Sequence, residues 1–173
     1  MHLDSPLRLL GEAIQIMYNA EGLLVLAMPR VAARAPDESL RRALAQHLDE
    51  TRAQAIRLEQ AATLLGVPCQ GRRSMAMEGL LSDGELNLGY AGDDTLVSLA
   101  IIGTCSAVEH YELSMYESML MLAHMAGSTE AAELFKATLG EEERALQSLH
   151  EASSGLQQQL RSGAAAGNGG GVR

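Results

Sequence analysis

With 173 residues and a net charge of −9, the chain is long enough for one domain with a sizeable core and too acidic for a general binder of nucleic acid or membrane surfaces. Hydrophobic residues make up 47% but aromatics only 3%, with no Trp, so the core has to come from Leu, Ala, Met, Ile and Val. Strong helix formers dominate and alternating β-branched runs are missing, which argues against a sheet and for an all-α fold.

The residues before Pro6 do not pair a basic segment with an apolar one, and no uninterrupted apolar run reaches membrane-spanning length. The expected location is therefore the cytoplasm, with no nucleic acid and no membrane as partner. Cys69 and Cys105 form neither a disulfide framework nor a CxxC pair, and Cys105, on an apolar stripe, reads as a small core residue. The adjacent basic pairs, Arg41-Arg42 and Arg72-Arg73, read as solvated surface.

The first helix is expected from Pro6 to about Arg34, with Ser5 as its N-cap and Pro6 where a missing N–H costs nothing. Its heptad seam is Leu7, Leu10, Ile14, Met17, Glu21, Leu24, Met28 and Val31, apolar except for Glu21 in the middle. Pro29 is expected to bend the last turns. A tight turn at Ala35-Pro36-Asp37 leads into the second helix, Glu38 to Leu65, and so short a link makes the two an antiparallel hairpin. Leu44, Leu48, Ala55, Leu58, Ala62 and Leu65 mark its buried face. His47, Thr51 and Gln54 lie on or beside that face, with Glu50 one step round. Polar groups there are costly unless something satisfies them.

Gly66-Val67-Pro68 ends the second helix. The glycine-rich stretch 67–93 reads as a crossover carrying one short amphipathic helix around Ser74 to Leu81. A third long helix, Thr95 to Ala126, is capped by Asp93-Asp94. Its seam is Ile101, Cys105, Val108, Glu112, Met115, Met119, Leu122 and Ala126, again interrupted by one carboxylate. A fourth follows Gly127 and Ser128 and runs to about Leu160, with the stripe Phe135, Leu139, Glu142, Leu146, Leu149, Leu156 and Leu160. Thr138, Glu141 and Ala145 line the edge beside it. Residues 1–161 thus make one bundle, and the Gly/Ala-rich tail 162–173 is expected to be disordered. Two short-linked hairpins joined by one long connection give an antiparallel four-helix bundle of ferritin-like connectivity.

Counted from the expected helix starts, Glu21, Glu50, Glu112 and Glu141 lie at about 15, 13, 18 and 14 residues, depths that agree to roughly one turn at ~1.5 Å per residue. Four ionised carboxylates cannot share a dry core unaided. Protonation, pairing with a cation such as Arg57, entry of water or metal binding would each relieve them. Two divalent cations would supply the balancing charge, and carboxylate oxygens with imidazole suit iron or manganese. The candidate ligands are Glu21, His47, Glu50, Glu109, Glu112, Glu141 and Glu142, with Glu141 and Glu142 competing for one place. His47 and Glu50, three apart, project from one face. Each has a bland alternative: a glutamate hydrogen-bonded to Tyr or Thr across the core, or a buried histidine paired with a glutamate. Glu78 reads as an anchor of the crossover. Met17, Met28, Met115, Met119 and Met121 read as core filling, since no Cys-His cluster accompanies them for copper.

His47-Leu-Asp-Glu-Thr, Met77-Glu-Gly-Leu, Val108-Glu-His-Tyr-Glu and Leu139-Gly-Glu-Glu resemble the YciE/YciF family of bacterial ferritin-like proteins associated with stress responses. The resemblance spans about residues 5 to 155 and implies a rubrerythrin-like bundle, a homodimer and a potential di-metal centre. One departure stands out. The broader di-iron pattern places Glu-x-x-His on two helices. Here Ala53 and Arg144 stand three residues after Glu50 and Glu141, and His47 precedes its glutamate. Two readings follow. One is a di-metal carboxylate protein reactive toward peroxide or oxygen, or one that handles iron without turnover. The other is a non-enzymatic dimeric stress or scaffold protein whose polar cluster is satisfied internally.

Overall fold

The computed structural model describes residues 4–167, and their side chains as far as Gln158. Five helices follow one another: α1 (Pro6–Arg34), α2 (Glu38–Leu65), α3 (Met75–Tyr90), α4 (Asp94–Met125) and α5 (Thr129–Gly167). No strand occurs among the described residues. α1 packs on α2 and α4 on α5, and the two hairpins join through α1 against α4 and α2 against α5. α3, carried by the crossover, lies on α4 and touches α1. This is the four-helix bundle with one long connection that the element pattern predicts.

The helix ends follow from local chemistry. Ser5 accepts from the Arg8 amide at 3.3 Å, Asp37 from Leu40 at 3.0 Å and Asp93 from Leu96 at 2.8 Å, each satisfying an otherwise orphaned donor. Gly66 closes α2 at φ 64, a conformation that side chains with a Cβ avoid. α1 continues through Pro29 to Arg34. By length and composition α1 alone among the described helices could cross a membrane, but half of its apolar stretch is buried against the bundle.

The main core gathers Leu10, Ile14, Met17, Leu58, Tyr116 and Phe135 with their neighbours, and a smaller cluster of Leu40, Leu44, Leu88, Ile101 and Leu149 sits where α1 turns into α2. Three expectations change. Met121 is 57% exposed rather than core, because it sits about 200° round the helix from buried Met119. Leu7, at the frayed end of its seam, is 38% exposed. The crossover helix is twice as long as the amphipathic signal suggested and passes through Gly79, Gly84 and Gly89 to Tyr90. α5 is described as helix to Gly167, past Leu160, over a stretch with three consecutive alanines. The rest of the expected tail, 168–173, lies outside the described residues.

Gly84 explains how α3 seats itself. A Cβ there would stand 2.4 Å from Thr104 Cγ2 and 3.0 Å from its Oγ1, so the backbone of α3 approaches α4 only because the side chain is missing. Gly79 and Gly89 have nothing within 4 Å of such a Cβ. Urea unfolding of single variants should therefore give opposite signs. Gly84→Ala should lose ~1–3 kcal/mol to overpacking, whereas Gly79→Ala or Gly89→Ala should gain about 0.5–1 kcal/mol from helix propensity. Equal effects at all three positions would contradict this seating of α3.

Candidate metal centre

Glu21 is buried because its helix buries its neighbours. Ile14 and Met17 precede it, Leu24 and Met28 follow it at helical spacing, and all five lie within 6% of full burial. On α4, Glu109, Glu112 and Tyr116 follow one another at three and four residues and share one inward face. On α5, Glu142 sits one heptad after Phe135 and one before Leu149, both core residues. The outcome is four interior carboxylates: Glu21, Glu112 and Glu142 at 0% exposure and Glu109 at 2%.

α2 supplies the nitrogen. His47 Nε2 stands 3.2 Å from Glu109 Oε1 and 3.9 Å from Glu142 Oε2, while Nδ1 is 3.5 Å from Glu50 Oε2. None of these approaches has hydrogen-bond geometry, and both ring nitrogens are without a partner. One donor atom each from His47, Glu109, Glu112 and Glu142 falls within 4.8 Å of the others. Glu21 stands beside this group with its Oε1 bound by the Tyr116 hydroxyl at 2.5 Å. Gln54 donates to Glu142 Oε1 and, at 3.1 Å, to Glu141 Oε2.

The adjacent glutamates of α5 separate cleanly. Glu142 points into the group, whereas Glu141 forms a two-pronged ion pair with Arg57, both contacts 2.6 Å, and Thr138 takes a further bond from Arg57 at 3.2 Å. Glu141 is thus a partner of Arg57 and stands outside the four-residue group. Glu50 flanks His47 at the edge, 28% exposed, and accepts from Gln46 at 3.3 Å. His110 faces outward. Glu78 is held by Arg73, also on the crossover, at 2.9 and 2.8 Å. Tyr116 was legible only as an apolar-spaced residue four after Glu112; its bond to Glu21 depends on α1 and α4 being packed together.

Burial sets the proton affinities. It raises Glu21 to about 8 against the opposing bond from Tyr116. Glu112 is pushed well up by burial and then by the charges of Glu21 and Glu109. Glu142 is raised by burial, by its proximity to Glu109 and by the neighbouring carboxylates. Burial would also raise Glu109, but His47 and Glu142 beside it overcome that effect and hold the carboxyl below its ordinary range. His47 resists burial through Glu109 and Glu50 and ends above its usual value. The surroundings therefore favour the charged form at Glu109 and His47 and the protonated form at Glu21, Glu112 and Glu142.

The sequence profile of a domain of unknown function, DUF892, matches residues 6–161. Protein YciF of Escherichia coli K12 is 32% identical over 126 residues, covering 72% of this chain and 76% of that protein. The crystal structure of that protein, described as a stress protein, superposes with a TM-score of 0.87 at 26% identity, over 90% of this chain and 99% of the other. YcfI from Rhodopseudomonas palustris superposes at 0.82 with 29% identity, over 85% and 94% of the two chains. These likenesses bear out the family resemblance and the helical-bundle fold read from the sequence.

The raised groups make the metal-free protein sensitive to base. Glu21, Glu112, Glu142 and His47 bind protons more tightly folded than unfolded, so their contribution is full below the unfolded values and is lost as pH climbs through the folded ones. Glu109 runs the opposite way, with a contribution lost as pH falls through its lowered value. Chelator-treated protein should accordingly melt highest near pH 4–5, about where unfolded carboxyls titrate, and lose several degrees by pH 8, at ~2–4 °C per kcal/mol for a chain of this size. A melting temperature that rises over that interval would contradict the buried, protonated carboxyls.

Proposed function

Given a chain that belongs to the DUF892 family, we propose that it is a metal–carboxylate protein of the bacterial stress response. His47, Glu109, Glu112 and Glu142 would hold one ion, with Glu21 and Glu50 nearest to complete a second. One observation carries this reading. Every buried side-chain nitrogen or oxygen found without a hydrogen-bond partner among the described residues belongs to this site: Glu21, His47, Gln54, Glu109, Glu112 and Glu142. Buried polar atoms are nearly always satisfied, and orphans gathered at one level, mostly carboxylate oxygens with one imidazole, match what a hard divalent cation requires.

Oxygen-rich donors with a single nitrogen suit iron or manganese, and either metal would supply one-electron redox chemistry toward a small oxidant such as peroxide or oxygen. The protein's own groups have separable tasks. Tyr116 orients Glu21, and Gln54 orients Glu142. Arg57 with Thr138 keeps Glu141 out of the donor set. Protons held by Glu112 and Glu142 would leave as a cation enters, so affinity would rise with pH.

A second reading, a non-enzymatic stress or scaffold protein, draws on a specific feature. α5 brings no histidine to the site, its His150 being exposed, and Thr138, beside the place one would occupy, is committed to Arg57. Protonated carboxyls bonded to Tyr116, Gln54 and each other would then be the final state of the site.

Metal analysis of the purified protein separates the two. On the first reading one or two equivalents of iron or manganese co-purify. Glu112→Gln and Glu142→Gln should then lower affinity by more than the ~10–100-fold typical of an outer-sphere partner, while Glu141→Gln leaves it near wild type. The same two variants should stabilise the metal-free protein at pH 8 by ~1–3 kcal/mol, since an amide removes a proton-dependent carboxyl from a dry core. Oxidation of the bound metal by peroxide would then be sought spectroscopically. A wild type with no metal under loading would leave only the second reading.

A further inference from the structure

The bundle encloses a second feature beside the carboxylate group: a cavity of about 500 Å³ between all five helices, in the range of about 300–1,000 Å³ usual for small-molecule sites. Its walls include Leu24, Leu44, Leu88, Ile101 and Leu149, each no more than 8% exposed. One side is formed by His47, Glu50 and Glu109, so the cavity borders the candidate metal centre. Exposed Ala43, Gln46 and Ser148 also line it and mark an opening to solvent. Glu109, whose side chain is 3% exposed, brings its carboxyl group to this wall.

We propose that this cavity binds an uncharged, elongated apolar molecule whose small polar end, a hydroxyl or its equivalent, donates to Glu109. Three observations select that occupant. The apolar walls lie below the rim and are nearly inaccessible, so a slender molecule can enter and a broad protein face cannot reach them. The charged residues of the lining are of both signs, Arg30 and Arg144 against Glu50, Glu85 and Glu109 with His47 beside them, so no strong excess of either sign favours an ionic head. The polar inner end offers the Glu109 carboxyl group as an acceptor, and a second carboxylate brought against it would be repelled. Resting on the metal–carboxylate reading, the bound molecule is the organic substrate presented to the centre. Binding itself needs no metal.

The test uses the full chain, treated with chelator and again loaded with manganese. Fluorescence of N-phenyl-1-naphthylamine reports occupancy, and 1-decanol, decanoate and decylamine compete for it. One dye per chain is expected, displaced by decanol at concentrations at least about tenfold below those of either charged analogue. Ala145→Leu on the half-buried wall and Ala43→Phe at the exposed rim should each weaken dye and decanol about tenfold or more, with melting unchanged. Should Ala145→Leu fail to fold, Ala43→Phe carries the comparison, because its site is solvent-facing. Glu112→Gln and Glu142→Gln, which lie outside the lining, should retain dye binding.

No saturable dye binding in the wild type, unchanged affinity in the folded variants, or preference for a charged analogue would overturn the proposal. So would a wild-type dimer that binds no dye but dissociates in Ala43→Phe by light scattering, which would assign the opening to a second copy of the chain. Decanol binding without any metal uptake would uphold the cavity and sink the metal reading. Metal uptake without decanol binding would do the reverse.

Discussion

Four carboxylates from three helices meet in the dry centre of this bundle, and the rest of the molecule is arranged around that cost. Each ionised carboxylate removed from water is worse by several kcal/mol even after relaxation. A hydrogen bond to a charged group returns ~1.5–3 kcal/mol. Tyr116 gives one such bond to Glu21 and Gln54 one to Glu142, while Glu112 receives none. The metal-free protein can only meet the difference with protons, which is why burial leads the forces raising Glu21, Glu112 and Glu142. Leu10, Ile14, Met17, Leu58 and Met119 above and below the level supply apolar burial of about 1.5–3 kcal/mol each, enough to tolerate a polar layer.

The geometry of that layer comes from ordinary helix rules. Short links make α1–α2 and α4–α5 antiparallel hairpins, so residues at similar depth in each helix face one another. On α5 three successive glutamates are sorted by the 100° step between neighbours. Glu141 meets Arg57, Glu142 enters the core and Glu143 remains in solvent. A rotation of α5 by one such step would exchange their places. The Arg57–Glu141 pair, joined to Thr138, opposes that rotation and keeps Arg57 from neutralising the centre.

Much of this was legible before any coordinates. Glu21 and Glu112 interrupt clean apolar heptads, so the pattern that buries Met17 and Met119 buries them too, and equal depth along the helices placed them at one level. His47 and Gln54 were visible as polar residues on the inner face of α2. What escaped depended on contacts between helices. Period favours Glu142, which stands in the stripe, over Glu141 on its edge, but what holds Glu141 aside is Arg57 on another helix. α3 looked short because three glycines depress helix propensity, yet one of them is what lets α3 lie against Thr104. The cavity has no sequence signature at all, since it is defined by where Leu24, Leu88 and Leu149 stop short of one another.

The metal-free and metal-loaded readings of the site differ in charge carrier more than in shape. Protonated carboxyls and a bound cation solve the same electrostatic problem, and both leave Tyr116 and Gln54 in the same roles. Protons alone solve it incompletely. A protonated carboxyl donates one bond, yet neither oxygen of Glu112 and neither ring nitrogen of His47 finds a partner. His47 standing 3.2 Å from Glu109 without bonding it is the same shortfall in geometric form. A core selected only for stability would replace such groups with apolar ones at little loss. Gathered at one level, with His47 and Glu109 also lining the neighbouring cavity, these groups leave donors and acceptors that the chain itself does not satisfy.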